Sequence, residues 1–327
     1  MDALFISLYE QVGHFGFLCI VIAISLFLCF AAIPFTTDWM VDSAAGLAGK
    51  YWGANQRTLV INASTNNPEL FSMLTAFALL QLGGIANPLG SNFANIYLMY
   101  LIAPLFVMLR WVLTGKGSRV KALIQLAGRE KRLVAWHAGV SIMLFLFSSF
   151  AYWCLTGTDQ FNLLPPSEGY RGAPWLLLAA GVCGIGIGIF MVLERGLKRK
   201  RPELFDEINS ERHDPSWLKF TLGTVGLVAS TFLMNGVFLA VSQIYHAALV
   251  GIFGSAIFAG IHYFVASILT SLPETKVATD NLQHGTSADL NTALAACSYS
   301  SGVNLALGVL GCLIAGIMLL LGVQYSV

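Results

Sequence analysis

Long apolar runs separated by short polar segments dominate this sequence. Eight runs are long and apolar enough to cross a membrane as helices, since about 20 such residues span the hydrocarbon. The pattern predicts an all-α membrane protein, a bundle of about eight and at most ten transmembrane helices. The predicted spans are 15–37, 58–82, 91–113, 134–156, 174–193, 217–243, 250–272 and 292–323.

The composition supports a membrane location. Hydrophobic residues make up 56% and charged residues 11% of the 327 residues, and the mean hydropathy is +0.71. A soluble core of this size needs much less apolar content, so the excess is expected to face a lipid bilayer. The net charge of +1 indicates no nucleic-acid partner. The six cysteines lie in apolar segments without a metal-ligand spacing, and we expect no resident cofactor.

The distribution of basic residues predicts the orientation. Most lysines and arginines fall in two loops, 114–133 and 194–216, whereas the loop 157–173 between them carries a single arginine. By the positive-inside rule both basic loops are cytoplasmic, which places the N-terminus of this multi-pass protein outside.

Two Pro-Glu pairs interrupt the apolar pattern in similar surroundings. Hydroxyl or amide residues precede both pairs, in the stretches Thr65-Asn66-Asn67-Pro68-Glu69 and Thr270-Ser271-Leu272-Pro273-Glu274. A serine and an asparagine four residues apart follow each pair, which places them on one face of a helix. These are Ser91 and Asn95 after the first pair, and Ser300 and Asn304 after the second.

The predicted span count gives the two Pro-Glu helices opposite directions across the membrane. This arrangement is typical of the inverted-topology repeats of secondary transporters, whose substrate site lies near the midplane. We expect a first repeat in residues 1–200 and a second, shortened repeat in residues 201–327.

The Pro-Glu pairs also suggest a chemistry. A proline breaks the helical ladder and frees backbone carbonyls, and a bare carboxylate in an apolar run costs several kcal/mol unless it is neutralised. Carbonyl, hydroxyl and carboxylate oxygens together are the ligands of a hard cation. The sequence therefore predicts a cation site at the two helix breaks.

The motifs also resemble those of a known family. The stretch TSLPE, residues 270–274, and the stretch ANPLGSNFAN, residues 86–95, are similar to the α-repeat motifs of sodium/calcium exchangers in the calcium:cation antiporter superfamily. The resemblance covers residues 36–105 well and 217–310 more loosely. It implies a secondary antiporter that exchanges calcium for sodium by alternating access.

The resemblance also implies a role for each motif residue. Glu69 and Glu274 would be the paired carboxylates that hold calcium or competing cations. The remaining ligands would be carbonyl or hydroxyl oxygens of Thr65 and Thr270, side-chain oxygens of Asn66 and Ser271, sodium-lining Ser91 and Ser300, and the amides of Asn95 and Asn304.

Departures from the family motif leave other functions open. Asn66 stands where the family has serine, and Asn304 where many members have aspartate. The counter-ion could instead be the proton, the cargo could be another divalent ion, or the protein could be a transport-inactive sensor or scaffold. We expect no enzyme, since no Ser–His or metal-ligand constellation accompanies Glu274. Lys276 is expected to pair with Asp280 at the i+4 position.

Overall fold

The computed structural model describes residues 2–52, 64–157, 172–204 and 215–325. These residues are largely helical, and no β-strand occurs among them. The described part contains seven helical stretches long and apolar enough to cross a membrane: Leu4–Tyr51, Leu82–Leu113, Lys131–Thr156, Ala173–Lys200, Trp217–Ile244, Ile257–Leu282 and Ser287–Leu320. The predicted all-α, multi-pass membrane architecture is confirmed at this level.

The first stretch is longer than its prediction. Helix α1 (Asp2–Phe27), kinked at Gly13, continues through a π-helical segment into α2 (Ile33–Tyr51). The spanning stretch has 48 residues, or about 70 Å at 1.5 Å per residue, roughly twice the hydrocarbon thickness. The predicted span 15–37 is only the middle of this stretch. Hydropathy identifies residues that are apolar enough for a membrane, but it does not show where the helix ends.

The next helices carry the first Pro-Glu pair and the motif after it. Helix α3 (Asn67–Ala78) has 12 residues, and residues 58–63 of the predicted span 58–82 lie outside the described residues. A 3₁₀ turn, Leu82–Ile85, leads into α4 (Ala86–Tyr97), a π-helical segment and α5 (Ala103–Leu113). The crossing thus starts before the predicted residue 91, so that Ser91 lies inside a helix.

The middle of the chain holds two long helices and one short one. Helix α6 (Gly117–Arg129) lies within the predicted loop 114–133 and buries Leu123 and Leu126. It is followed by α7 (Lys131–Thr156) and α8 (Ala173–Lys200). Helix α8 extends beyond the predicted end at 193, and its last turn is basic, which the negative end of the helix dipole favours.

Glu130, between α6 and α7, connects three separate segments. Its carboxylate accepts hydrogen bonds from Arg201 at 3.3 Å and from Ser287 at 2.8 Å. Arg201 directly follows α8, and Ser287 begins the last helix. The two basic segments therefore lie at the same end of the bundle. The same two hydrogen bonds, Arg201 first, hold the pKa of Glu130 below its usual value.

We expect Glu130→Gln to lower the melting temperature at pH 7 by about 1–3 °C. A surface-edge ion pair contributes at most about 1 kcal/mol. Because the folded-state pKa is depressed, this stability is present above the unfolded-state pKa of about 4.3 and is lost as the pH falls through the folded-state value. Thermal unfolding in detergent at pH 7 and at pH 3 measures the difference between the two proteins. An equal loss at both pH values would contradict the assignment.

The last part of the chain contains one long helix, a broken crossing and a second long helix. The elements are α9 (Trp217–Ile244), α10 (His246–Phe253), α11 (Ile257–Ile261), a π-helical segment (His262–Ala266), α12 (Ser267–Thr270), α13 (Leu272–Leu282) and α14 (Ser287–Leu320).

The predicted span 250–272 is wrong at both ends. Gly254, at φ 64°, ends α10 in a conformation that side-chain-bearing residues rarely adopt. The crossing then runs from Ile257 to Leu282, through Pro273, so Glu274 lies inside the span and not at its end. Pro273 is tolerated there because it occupies the first turn of α13, where its missing N–H is not needed. Helix α14, predicted as 292–323, is a single helix of 34 residues.

Two helix groups flank the Pro-Glu helices. On one side α9 packs on α2, and a Cβ on Gly223 would lie 2.8 Å from the Thr36 carbonyl oxygen, so the backbones are in close contact. On the other side α14 packs on α7 and α8. Asn235 of α9 donates two 2.7 Å hydrogen bonds to α3, to the Ser72 carbonyl and the Thr75 hydroxyl. The starts of the two Pro-Glu helices, with Glu69 and Glu274, thus lie in the interior of the bundle.

Candidate functional site

Helices α3 and α13 begin in the same way. The residues that precede them have nearly identical backbone angles, φ −89° and ψ 8° at Asn66 and φ −85° and ψ 5° at Ser271. In both helices a proline lies in the first turn, directly before the glutamate. Each carboxylate is therefore at the start of a helix, where the dipole favours negative charge. Proline has no backbone N–H. The carbonyl four residues before each proline therefore lacks the hydrogen-bond donor that it would have in a regular helix.

The two glutamates are buried and largely without hydrogen bonds. Glu69 is 0% and Glu274 2% exposed. The Ser91 hydroxyl donates to Glu69 Oε1 at 3.1 Å, whereas Glu69 Oε2 and both carboxylate oxygens of Glu274 have no hydrogen-bond partner. An unpaired buried carboxylate is costly, so this pair can be stable only when protons or a cation neutralise its charge.

The two carboxylates are near enough to act on each other. Glu69 and Glu274 lie close enough that their ionised forms would repel each other, and Thr270, from the second Pro-Glu stretch, lies near Glu69. Ser271 also lies near Glu69. Its hydroxyl has no hydrogen-bond partner. The structure therefore brings together two acidic groups that are 205 residues apart in the chain.

A chain of hydrogen bonds connects the surrounding polar residues. Asn95 Nδ2 of α4 donates to Ser300 Oγ of α14 at 2.9 Å, and Ser300 Oγ donates to Asn66 Oδ1 at 2.8 Å. Ser300 also lies near Glu274, but its single proton is already given to Asn66. Asn95 Oδ1 is left without a partner. The network holds three helices in register and leaves oxygens facing no donor.

All ten predicted site residues are buried. Hydrogen bonds join five of them, Ser91 to Glu69 and Asn95 through Ser300 to Asn66. Thr270, Ser271 and Glu274 lie beside these five without a hydrogen bond to them. Asn304 lies one turn beyond Ser300, and both polar atoms of its side chain lack a partner. Thr65 precedes Asn66 at the break before α3 and is 9% exposed. Their role as cation ligands stays a prediction.

Two asparagines near the site were not predicted from the sequence. Asn87 Oδ1 accepts a hydrogen bond from Thr270 at 3.3 Å, and Asn92 is fully buried with both polar atoms unpartnered. Asn87 precedes Ser91 by four residues, and Ser91 precedes Asn95 by four, so all three share a face of α4. The four-residue spacing could have predicted that Asn87 lies near the site.

The predicted ion pair between Lys276 and Asp280 is wrong. Lys276 Nζ instead contacts Asp38 Oδ2 on α2, a residue 238 positions away. The i+4 rule describes an isolated helix, whereas α2 packs directly against α13 and offers a competing carboxylate.

The donor set around the glutamates suits hard cations. Among the residues that the structure describes, no group of three or more histidine, cysteine, aspartate or glutamate side chains is placed to hold a metal. The unpartnered side-chain atoms near Glu69 and Glu274 include carboxylate and amide oxygens. Oxygen ligands of this kind match calcium and other hard cations.

Fold and site together define a multi-pass helical membrane protein with two buried carboxylates at paired helix breaks. No protein-family model, curated protein or solved structure matches this chain.

Proposed function

We propose that this protein is a secondary antiporter that exchanges calcium for sodium by alternating access at Glu69 and Glu274. The observation that carries the proposal is the pair of buried carboxylates at two matching helix starts, with three unpartnered oxygens. In a low-dielectric interior both groups cannot remain bare, because desolvation and like charge each penalise the ionised form. One divalent ion, two monovalent ions or protons would cancel the charge.

An inverted repeat is part of this proposal. Four spanning stretches, from Leu82–Leu113 to Trp217–Ile244, lie between α3 and the crossing that contains α13. With α3 taken as part of a further crossing, an even number of spans between them would make these two helices antiparallel, because successive spans alternate in direction. Their matched starting geometry at Asn66 and Ser271 supports a common origin of the two halves.

Exchange follows if the protein reorients only when the site charge is cancelled. Two glutamates balance one calcium ion, so the asparagine at position 304 does not prevent neutralisation. The moving part would be α1, α2 and α9, since α9 packs on both α1 and α2, and it would move against the helices that hold the site. The ions are cargo, and the same site would bind them in turn.

The orientation belongs to the proposal as well. We take the end of the bundle that carries Glu130, Arg201 and Ser287 to be cytoplasmic, because both basic segments meet there. The N-terminus would then lie outside.

Radioactive calcium uptake into proteoliposomes tests the function. Vesicles loaded with sodium and diluted into sodium-free buffer should accumulate calcium several-fold above vesicles with equal sodium on both sides. An outward proton gradient without sodium should give no uptake. Uptake driven only by protons would assign the proton-coupled alternative. Calcium binding in isothermal titration without any flux would favour a sensor, and no binding at all a scaffold.

A further inference from the structure

A groove of about 360 Å³ runs between α5 and α13. Its two walls differ in character. Helix α13 contributes Thr275, Lys276, Thr279 and Asp280, whereas α5 contributes mainly apolar side chains such as Phe106. Both helices belong to stretches that cross the membrane.

The polar wall is incompatible with hydrocarbon. The Lys276 side chain is 56% and that of its partner Asp38 47% exposed. Lys276 lies six residues before the end of the crossing at Leu282, or about 9 Å along the helix axis. A lysine can extend its amine towards an interface, but an aspartate cannot. Exposed charged groups on a crossing are stabilised by water, so the exposed pair indicates that water reaches this side of the groove.

The groove leads from one end of the bundle to the neighbourhood of Glu274. At the outer end Arg110 Nη1 donates to Gln283 Oε1 at 3.2 Å, and both residues line the groove. At the inner end the lining residue is Leu272, next to Ser271 and two residues before Glu274. Gln283 is four residues before Ser287, so the outer end is the one that carries the basic segments.

We propose that this groove is a water-filled vestibule through which cations pass between Glu274 and the end of the bundle carrying the basic segments, and that Lys276 sets its electrostatic potential. The inference rests on the proposed function only for the identity of the ions. Asp280 attracts cations into the vestibule, Lys276 opposes them, and Asp38 partly cancels the lysine. Leu272 forms the apolar barrier between the vestibule and the site.

Cysteine accessibility tests the vestibule without requiring transport. In a Cys19→Ser background, which removes an exposed thiol, we would introduce Thr279→Cys in one variant and Leu105→Cys in another. Leu105 neighbours Phe106 on α5 and is 49% exposed outside the groove. Reaction with water-soluble methanethiosulfonates in lipid nanodiscs requires a thiolate, which forms only in water.

We expect Thr279→Cys to react at least tenfold faster than Leu105→Cys. Equal, slow rates would show that lipid fills the groove and would overturn the inference, even if calcium flux is intact. Conversely, fast labelling of Thr279→Cys without any calcium flux would support the vestibule and reject the antiporter. The two proposals thus fail separately.

The role of Lys276 is tested by the charge of the reagent. Lys276→Gln should raise the ratio of cationic to anionic labelling rates at Thr279→Cys by about three- to tenfold, whereas Lys276→Arg should leave it unchanged. Raising the salt from 50 to 500 mM with Lys276 intact should move the ratio towards one, a measurement that does not depend on the folding of the variant. A ratio insensitive to both changes would refute the electrostatic role.

Discussion

Replacing Glu274 with glutamine should abolish calcium binding and calcium–sodium exchange. Glu274 supplies two of the three unpartnered carboxylate oxygens at the site. Glutamine keeps the shape but removes one of the two negative charges and presents an amide N–H₂ to the ion. Removing one partner of a buried charge interaction costs about 3–5 kcal/mol, which corresponds to about a 10²-fold or greater loss of affinity. Isothermal titration and vesicle uptake measure the two losses.

The same variant should have the opposite effect on stability without calcium. The unpartnered carboxylate is costly to bury, so the calcium-free Glu274→Gln protein should melt no lower than the wild type. Calcium should raise the melting temperature of the wild type and leave that of the variant unchanged. Glu10→Gln, an exposed position on α1 with the same chemical change, is the matched control and should respond like the wild type. A calcium-induced shift that survives in Glu274→Gln would remove the glutamate from the site.

Glu69→Gln provides an independent check. Glu69 Oε1 accepts from Ser91, and a glutamine carbonyl can keep that bond, so the local packing should persist. The loss of calcium binding should nevertheless match that of Glu274→Gln, because the proposal needs both charges. A Glu69 variant with normal affinity would leave a single-carboxylate site and contradict the shared ion.

The helix breaks and their polar residues could be predicted because the signal is local. A proline and a glutamate in an apolar run violate the rules for a spanning helix at a single point, and the structure gives Asn66 and Ser271 matching backbone angles there. The four-residue spacing of Ser91 and Asn95 likewise follows from the period of one helix. The same signal extends to Asn87, which was overlooked.

Features that depend on tertiary neighbours could not be predicted. The sequence contains no sign that Lys276 would meet Asp38 across 238 positions. Nor does hydropathy show where a helix ends, because α1 and α2 continue well beyond the run 15–37 and the crossing at Ile257 starts only after Gly254. These properties are decided by which helices pack together, and periodicity describes each helix separately.

One such packing contact positions the site. A Cβ built on Gly90 of α4 would lie 2.1 Å from the carbonyl oxygen of Tyr263 in the π-helical segment. Only glycine permits this approach, and the neighbouring residue is Ser91, the donor to Glu69. Further along the same crossing, Thr270 of α12 donates a hydrogen bond to Asn87 of α4. The distance between these backbones therefore sets the spacing of the two Pro-Glu stretches.

Gly90→Ala should consequently destabilise the protein and disrupt the site. The new methyl group meets backbone atoms that no side-chain rotation can move, so α4 and the segment at Tyr263 must separate. Overpacking typically costs about 1–3 kcal/mol, and a clash with backbone atoms should lie at the upper end, which should appear as a clearly lower melting temperature and a loss of calcium-induced stabilisation. Gly184→Ala on α8, where nothing lies within 4 Å of the added Cβ, should be neutral or stabilising by about 0.5–1 kcal/mol. If the two alanine variants melt and bind calcium alike, the close crossing at Gly90 does not position the glutamates.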